Sequence, residues 1–155
     1  MGVGKSTVGR LLADRRGLPF VDLDTEIASR AQRSVREIFE TQGEHTFRTL
    51  EEQELKRVLN GPNVVLSLGG GTLHQADCME RLRETAQVVV LWLPYEALCS
   101  RLGADDVEQR PLWRQSHQLF CDREAGYKSA GVWVDVEGLE PNEVVDAIEE
   151  VLACA

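Results

Sequence analysis

The chain has 155 residues, 43% hydrophobic and 28% charged, which is enough for one domain with a substantial core. Its formal net charge of -9 makes nucleic acid and anionic membranes unfavourable partners, because both are negatively charged. The longest apolar run, Val88–Leu93, is too short to span a bilayer, and the scattered cysteines and histidines lack zinc-ligand spacing. We therefore expect a cytoplasmic protein with reduced thiols, forming a single domain over residues 1–155.

Short apolar segments alternate with helical ones along the chain. Strands are predicted at Leu18–Leu23, Val64–Leu68, Val88–Leu93 and Val132–Val136, each rich in Val and Leu. Helices are predicted at Lys5–Arg16, Thr25–Gln32, Glu44–Leu59, Leu98–Leu102, Gln118–Tyr127 and Pro141–Leu152. A further helix is expected after the capping box formed by Ser34 and Glu37. The alternation predicts a three-layer α/β fold with a mainly parallel sheet.

The first motif, Gly2-Val3-Gly4-Lys5-Ser6-Thr7, runs directly into the first predicted helix. Its glycines allow successive N–H groups to turn toward an anion, and the helix N-terminus adds positive potential. Lys5 has the reach for the outer phosphates of a nucleotide, and the Ser6 hydroxyl suits Mg²⁺. The motif predicts nucleotide phosphate binding without identifying the phosphoryl acceptor. The alternative is a glycine-rich helix start that binds nothing.

Two aspartates follow at the end of the first predicted strand. If the strand continues through them, Asp22 and Asp24 both point toward the crevice where α/β proteins bind ligands. One carboxylate then suits a metal-bound water, and the other suits an acceptor hydroxyl. The alternative is that one of them caps the next helix.

The segment from Gly43 to Glu51 places Arg48 and Glu51 three residues apart on one helix face, so the glutamate can orient the guanidinium. An oriented arginine binds a carboxylate through two parallel hydrogen bonds. The alternative is an ordinary surface ion pair, which contributes little.

Three weaker motifs complete the series. Gly69-Gly70-Gly71, after the second predicted strand, indicates either close approach of a ligand or a plain tight turn. Arg110-Pro111-Leu112 lies in the polar segment 103–113, which by charge alone is a solvated loop. Arg123 and Tyr127 lie four residues apart on a late predicted helix. None of the three identifies a function by itself.

Taken in order, the six motifs resemble the shikimate kinase family of P-loop kinases, and the resemblance covers nearly the whole chain. It implies a P-loop kinase fold and transfer of the γ-phosphoryl group of ATP, with Mg²⁺, to the 3-hydroxyl of shikimate. The product would be shikimate 3-phosphate, an intermediate of aromatic amino-acid biosynthesis. It also implies a monomer.

The resemblance further implies a role for each matching residue. The segment from Gly2 to Thr7 would bind ATP, and Ser6 and Asp22 would hold Mg²⁺. Lys5, Asp24 and Arg110 would act in catalysis, with Arg110 also contacting ATP as a lid at 103–113 closes. The shikimate-binding set would be Asp24, Arg48, Gly70, Gly71 and Arg123.

Two alternatives stay open from the residues alone: a gluconate or nucleoside-monophosphate kinase, or an inactive nucleotide-binding module. A phosphate loop normally follows a strand, so we expect the natural protein to begin about ten residues upstream of Met1. The resemblance implies that this strand is the central one of the sheet. We therefore expect a gap between Val64–Leu68 and Val88–Leu93, and poor folding of the chain by itself.

Overall fold

The computed structural model of the protein describes residues 2–101, 116–128 and 130–154. The helices are α1 (Lys5–Arg16), α2 (Leu23–Ala31), α3 (Val35–Leu59), α4 (Ala76–Thr85), α5 (Tyr95–Arg101), α6 (Ser116–Lys128) and α7 (Pro141–Ala153). The strands are β1 (Phe20–Asp22), β2 (Val65–Ser67), β3 (Val89–Trp92) and β4 (Val132–Asp135), with a 3₁₀ turn at Thr72–His74. Within these ranges no helix combines the length and apolar character needed to cross a membrane.

The four strands form two separate parallel pairs. β1 pairs with β2 in the register Phe20↔Val65, and β3 pairs with β4 in the register Val89↔Val132. Over the described ranges no ladder joins β2 to β3. The predicted strands and the predicted gap between the second and third of them are therefore confirmed.

Helices cover both faces of the strands. Consecutive residues of a strand point to opposite faces. Val65 and Leu91 pack into a core formed mainly by α1, α5 and α7, whereas Leu66 and Val90 pack into a second core formed mainly by α2, α3 and α4. This alternation confirms the predicted three-layer arrangement, because β2 and β3 are apolar on both sides.

Local sequence signals set several helix boundaries. The Ser34 hydroxyl accepts a hydrogen bond from the Glu37 N–H (3.2 Å), and the Glu37 carboxylate accepts one from the Ser34 N–H (2.7 Å), which confirms the capping box. The helix that this box starts continues through the predicted Glu44–Leu59 as α3. A kink at Gly43, with φ of 82°, separates the two parts and needs a residue without a Cβ.

One helix, α4, was not predicted from the sequence. Its buried face consists of Cys78, Met79 and Leu82. The N-cap position of this ten-residue helix is Gln75, which makes no side-chain cap, so the sequence carries no polar signal for the beginning of the helix.

Candidate active site

The start of α1 has the backbone geometry of an anion cradle. Gly2 and Gly4 have φ of 71° and 95°, and Gly4 is the N-cap residue of α1 without a side-chain cap. A Cβ at these angles would be strained, so glycine is required. The first turn carries no acidic residue, and the first N–H groups of any helix lack intrahelical acceptors. The predicted segment from Gly2 to Thr7 therefore presents a positive helix end.

Asp22 joins the start of α1 to the start of α2. One of its carboxylate oxygens accepts a hydrogen bond from the Ser6 hydroxyl (2.8 Å), and the other accepts one from the Thr25 N–H (3.3 Å) as the N-cap of α2. The helix-cap alternative is thus correct for Asp22, which nevertheless also faces Ser6. A hydroxyl and a carboxylate side by side suit Mg²⁺, which commonly takes one or two protein ligands besides water and phosphate.

Asp24 does not lie on a strand, contrary to the expectation for this pair. β1 ends at Asp22, and Asp24 lies in the first turn of α2. The pKa of Asp24 is raised to about 6, first by burial and then by the nearby charges of Glu51 and Asp22, while Lys5 and Arg48 act in the opposite direction. A carboxylate tuned toward neutral pH is a better proton acceptor than an ordinary aspartate.

Arg48 is held by a carboxylate that is completely buried. Its Nη1 donates to Glu51 (2.7 Å), whose exposed fraction is 0%, while the Arg48 side chain is 20% exposed. Burial opposes the charge of the guanidinium, yet the hydrogen bonds and charges of Glu51 and Glu44 outweigh it and raise the Arg48 pKa. The surface ion-pair alternative is therefore wrong.

Glu51 also binds two residues that the sequence did not single out. The Thr72 hydroxyl donates to one oxygen of Glu51 (2.5 Å), and the Gln75 amide donates to the other (2.6 Å). Both partners lie just after the glycine turn at 69–71. Thr72 and Gln75 are three residues apart, and this spacing is the only sequence signal that they could share a partner. It does not indicate that the partner is Glu51.

The second edge of the guanidinium faces Glu44. Arg48 Nη2 and Nε donate to one oxygen of Glu44, at 2.9 and 3.2 Å. Unlike Glu51, this carboxylate is 55% exposed. A ligand carboxylate can therefore exchange with Glu44 at much lower cost than with Glu51.

The glycine turn packs directly against these side chains. A Cβ built on Gly69 would lie 3.1 Å from Asp24 Oδ1 and 3.2 Å from Glu51 Oε1. The Gly70 carbonyl accepts a hydrogen bond from the Tyr127 hydroxyl of α6 (2.7 Å). The turn is thus not a plain tight turn. It brings the backbone close to the acid and to the buried glutamate that orients the arginine.

Two predicted site residues lie wholly or partly outside the described part of the chain. Arg110 and the lid segment 103–113 lie outside the described residues. Arg123 belongs to α6, but its side chain is also outside the description. Across the ranges that are described, no cluster of three or more acidic, histidine or cysteine residues has metal-binding geometry.

Comparisons with known proteins agree on one family. A family model described as shikimate kinase matches residues 1–153. The chain is 37% identical over 152 residues to the shikimate kinase of Persephonella marina, covering 96% of this chain and 92% of that protein. It is 38% identical over 152 residues to that of Rhodopseudomonas palustris, covering 94% and 74%.

Solved structures give the same result. Shikimate kinase from Acinetobacter baumannii, in complex with shikimate, matches with a TM-score of 0.90 and 31% identity, covering 99% of this chain and 89% of that one. The Aquifex aeolicus shikimate kinase matches with a TM-score of 0.87 and 34% identity, covering 99% and 92%.

Proposed function

The chain belongs to the shikimate kinase family, and we propose that Asp24 and Arg48 present shikimate to ATP in its active site. The reaction is the transfer of the γ-phosphoryl group of ATP to the 3-hydroxyl of shikimate, within aromatic amino-acid biosynthesis. The main observation in support of these two roles is that Asp24 and Arg48 both pack against the same glycine turn. The turn at 69–71 lies against Asp24, Glu51 and Arg48. The same turn therefore positions the proton acceptor and the arginine that binds the carboxylate.

ATP would bind at the start of α1. The N–H groups from Gly2 to Thr7 and the Lys5 ammonium would hold the phosphates, with the helix end adding positive potential. The protein has little covalent chemistry to perform in such a transfer. Its contribution is to align the phosphoryl group with the acceptor and to stabilise the charge that spreads over the phosphate oxygens.

Ser6 and Asp22 would hold Mg²⁺. Their hydroxyl and carboxylate already lie 2.8 Å apart, and Asp22 is fixed by its second role as the cap of α2. When bound, the ion neutralises phosphate charge.

Asp24 would accept the hydrogen bond, and then the proton, of the attacking hydroxyl. Its raised pKa supports this role, because a base works best when its pKa is close to the working pH. Lys5 lowers the pKa of Asp24, and this electrostatic interaction between the two side chains supports placing the acceptor hydroxyl beside the phosphates.

Arg48 would bind the carboxylate of shikimate through the edge that now faces Glu44. Glu51 fixes Nη1, which leaves Nε and Nη2 in the parallel arrangement that a carboxylate prefers. Gly70 and Gly71 would form the adjacent wall, and we infer from the sequence that Arg123 assists the clamp and Arg110 contacts ATP.

A coupled ADP-release assay tests the function directly. ADP release that requires shikimate, and that gluconate or AMP in its place does not support, is the expected result. Release with gluconate or AMP would indicate one of the related kinases. Nucleotide binding without release, in a folded sample, would indicate an inactive module.

We also infer a monomeric enzyme of the cytoplasm. All four cysteines occur as free thiols, and Cys78 is buried, which fits a reducing compartment. Sedimentation of the purified chain would test the monomer.

A further inference from the structure

The buried carboxylate of Glu51 contacts Arg48 at one corner of the guanidinium. Arg48 Nη1 donates to Glu51 Oε2 (2.7 Å), whereas Nη2 and Nε donate to Glu44. A carboxylate beside an arginine usually forms two parallel hydrogen bonds, one to each of its oxygens. In the contacts that the described residues make, Glu51 instead meets the guanidinium end-on, through one nitrogen. Something other than Arg48 must therefore set the orientation of this carboxylate.

Both oxygens of Glu51 are bound by the segment that follows the glycine turn. The Thr72 hydroxyl donates to Oε1 (2.5 Å), and the Gln75 side-chain amide donates to Oε2 (2.6 Å). The backbone of the turn holds these two donors, because the Thr72 N–H donates to the Gly69 carbonyl (3.3 Å) and the Gln75 N–H donates to the Thr72 carbonyl (3.2 Å). Oε1 of Glu51 therefore binds Thr72 instead of Arg48 Nη2.

The bond between Thr72 and Glu51 lies in a closely packed, dry place. Both residues are fully buried, and a Cβ built on Gly69 would lie 3.2 Å from Glu51 Oε1 and 3.5 Å from Thr72 Oγ1. Threonine is branched at Cβ, which restricts its hydroxyl to few rotamers. Rotation of the carboxylate toward Arg48 would leave a buried hydroxyl without an acceptor, which is costly away from water.

We propose that Thr72 and Gln75 are positioning residues that keep Glu51 on a single nitrogen of Arg48, so that Nη2 and Nε stay available for the carboxylate of the substrate. This inference rests on the role of Arg48 in the proposed function. Without the two donors, Glu51 is free to form a two-bond pair with Nη1 and Nη2. The substrate would then have to displace a buried carboxylate, which is much harder than displacing the exposed Glu44.

Kinetics with shikimate and with its methyl ester test the proposal on the full chain, with ADP release as the signal. The ester keeps the ring and the hydroxyl groups but has no negative charge, so it cannot form a charge-assisted pair with Arg48. The ratio of kcat/KM for shikimate to kcat/KM for the ester therefore measures how well the carboxylate is bound. A general disturbance of the site would lower both values and leave their ratio unchanged.

Two variants remove one donor each. Thr72→Val replaces the hydroxyl by a methyl group of similar shape, and Gln75→Met removes the amide of a half-buried side chain. Either change should lower the ratio at least about fivefold, through a higher KM for shikimate, because the orientation of a charged hydrogen-bond partner is lost. The kcat/KM for the ester should change less than about twofold. If Thr72→Val fails to fold, Gln75→Met still decides the question, since its side chain is less buried.

Two further variants separate the hydroxyl from the substitution itself. Thr72→Ser keeps the donor and should hold the ratio within about threefold of the unsubstituted chain. Thr49→Val is the matched control, because Thr49 is exposed on α3 next to Arg48 and its hydroxyl donates to the His45 carbonyl of its own helix (3.2 Å). Its ratio should equal that of the unsubstituted chain.

Three outcomes would overturn the inference. An unchanged ratio in folded Thr72→Val and Gln75→Met, as judged by circular dichroism, would overturn it and leave the proposed function intact. Equal losses for shikimate and its ester would show that the two residues only support the structure. No shikimate-dependent ADP release by the unsubstituted chain would overturn the proposed function, and this inference with it.

Discussion

The Arg48 guanidinium occupies the space where a side chain at Gly71 would begin. A Cβ built on Gly71 would lie 2.6 Å from both Nη atoms and 2.7 Å from Cζ, which is closer than real Cβ contacts allow. Either the arginine or the turn must move if residue 71 gains a methyl group. The glycine is thus required by the position of the clamp.

Gly71→Ala should displace Arg48 and raise KM for shikimate at least about tenfold, while KM for ATP changes less than about twofold. Loss of a well-placed charge-assisted hydrogen bond is worth about 1.5–3 kcal/mol. Steady-state kinetics with each substrate varied measures the split, and Arg48→Ala gives the upper limit of the effect. Gly61→Ala, at an exposed position, is the control. Unchanged shikimate KM in Gly71→Ala would contradict the role of Arg48.

The two glutamates on Arg48 should respond in opposite directions. Glu44→Gln removes a partly exposed competitor for the ligand edge, so KM for shikimate should fall about two- to threefold. Glu51→Gln removes the buried negative charge that pairs with Arg48. It should therefore lower the free energy of unfolding by about 3 kcal/mol and raise KM for shikimate. Shikimate titrations and urea unfolding measure both effects. A rise in KM for Glu44→Gln would mean that Glu44 supports substrate binding.

Protonation of Asp24 should make kcat/KM fall at acidic pH, which gives the pH profile an acidic limb. Its pKa in the fold is about 6, so the ionised base is lost as pH falls through that value, and kcat/KM should decline below about pH 6. Asp24→Asn should remove the limb together with most of the turnover. A profile that stays flat down to pH 5 would exclude Asp24 as the base.

The same aspartate should reduce stability at neutral pH. The pKa of Asp24 in the fold, about 6, is above its ordinary value of 3.8, so between these pH values the native state binds more protons than the unfolded chain. Its stability therefore falls as pH rises through this range. Asp24→Asn removes this penalty and should raise the free energy of unfolding at pH 7 by about 1–3 kcal/mol. Denaturant unfolding at pH 4 and pH 7 measures the change, which should be smaller at pH 4. If Asp24→Asn were less stable at pH 7, the contacts of the Asp24 carboxylate would stabilise the fold by more than its burial destabilises it.

Substitutions at Asp22 should separate metal binding from helix capping. Asparagine caps helices as well as aspartate, so Asp22→Asn should keep its thermal midpoint but raise the Mg²⁺ concentration for half-maximal activity about tenfold. Asp22→Ala should lose the cap as well, at a cost of about 1 kcal/mol. Magnesium titrations of activity and thermal melts distinguish the two. An unchanged Mg²⁺ requirement in Asp22→Asn would leave Asp22 with the capping role alone.

Much of this protein could be predicted from local sequence. The four strands were found because runs of Val and Leu bounded by Gly, Pro or Asp are typical of buried parallel strands. The capping box at Ser34 and the pairing of Arg48 with Glu51 depend on residues three apart, which helical geometry alone brings together. The ordered series of motifs indicated the family correctly for the same reason, since each motif is short and contiguous.

The tertiary structure decided how the site works. Thr72 and Gln75 lie 21 and 24 residues from Glu51, and Tyr127 lies 57 residues from Gly70, so no local period connects them. The pKa of Asp24 depends first on burial, which is a property of the packed fold and not of the segment that carries the residue. The sequence by itself determined which chemical groups the site contains. Their burial, their long-range partners and the space left at Gly71 arise only when distant segments pack, because desolvation and steric contact act between neighbours in space.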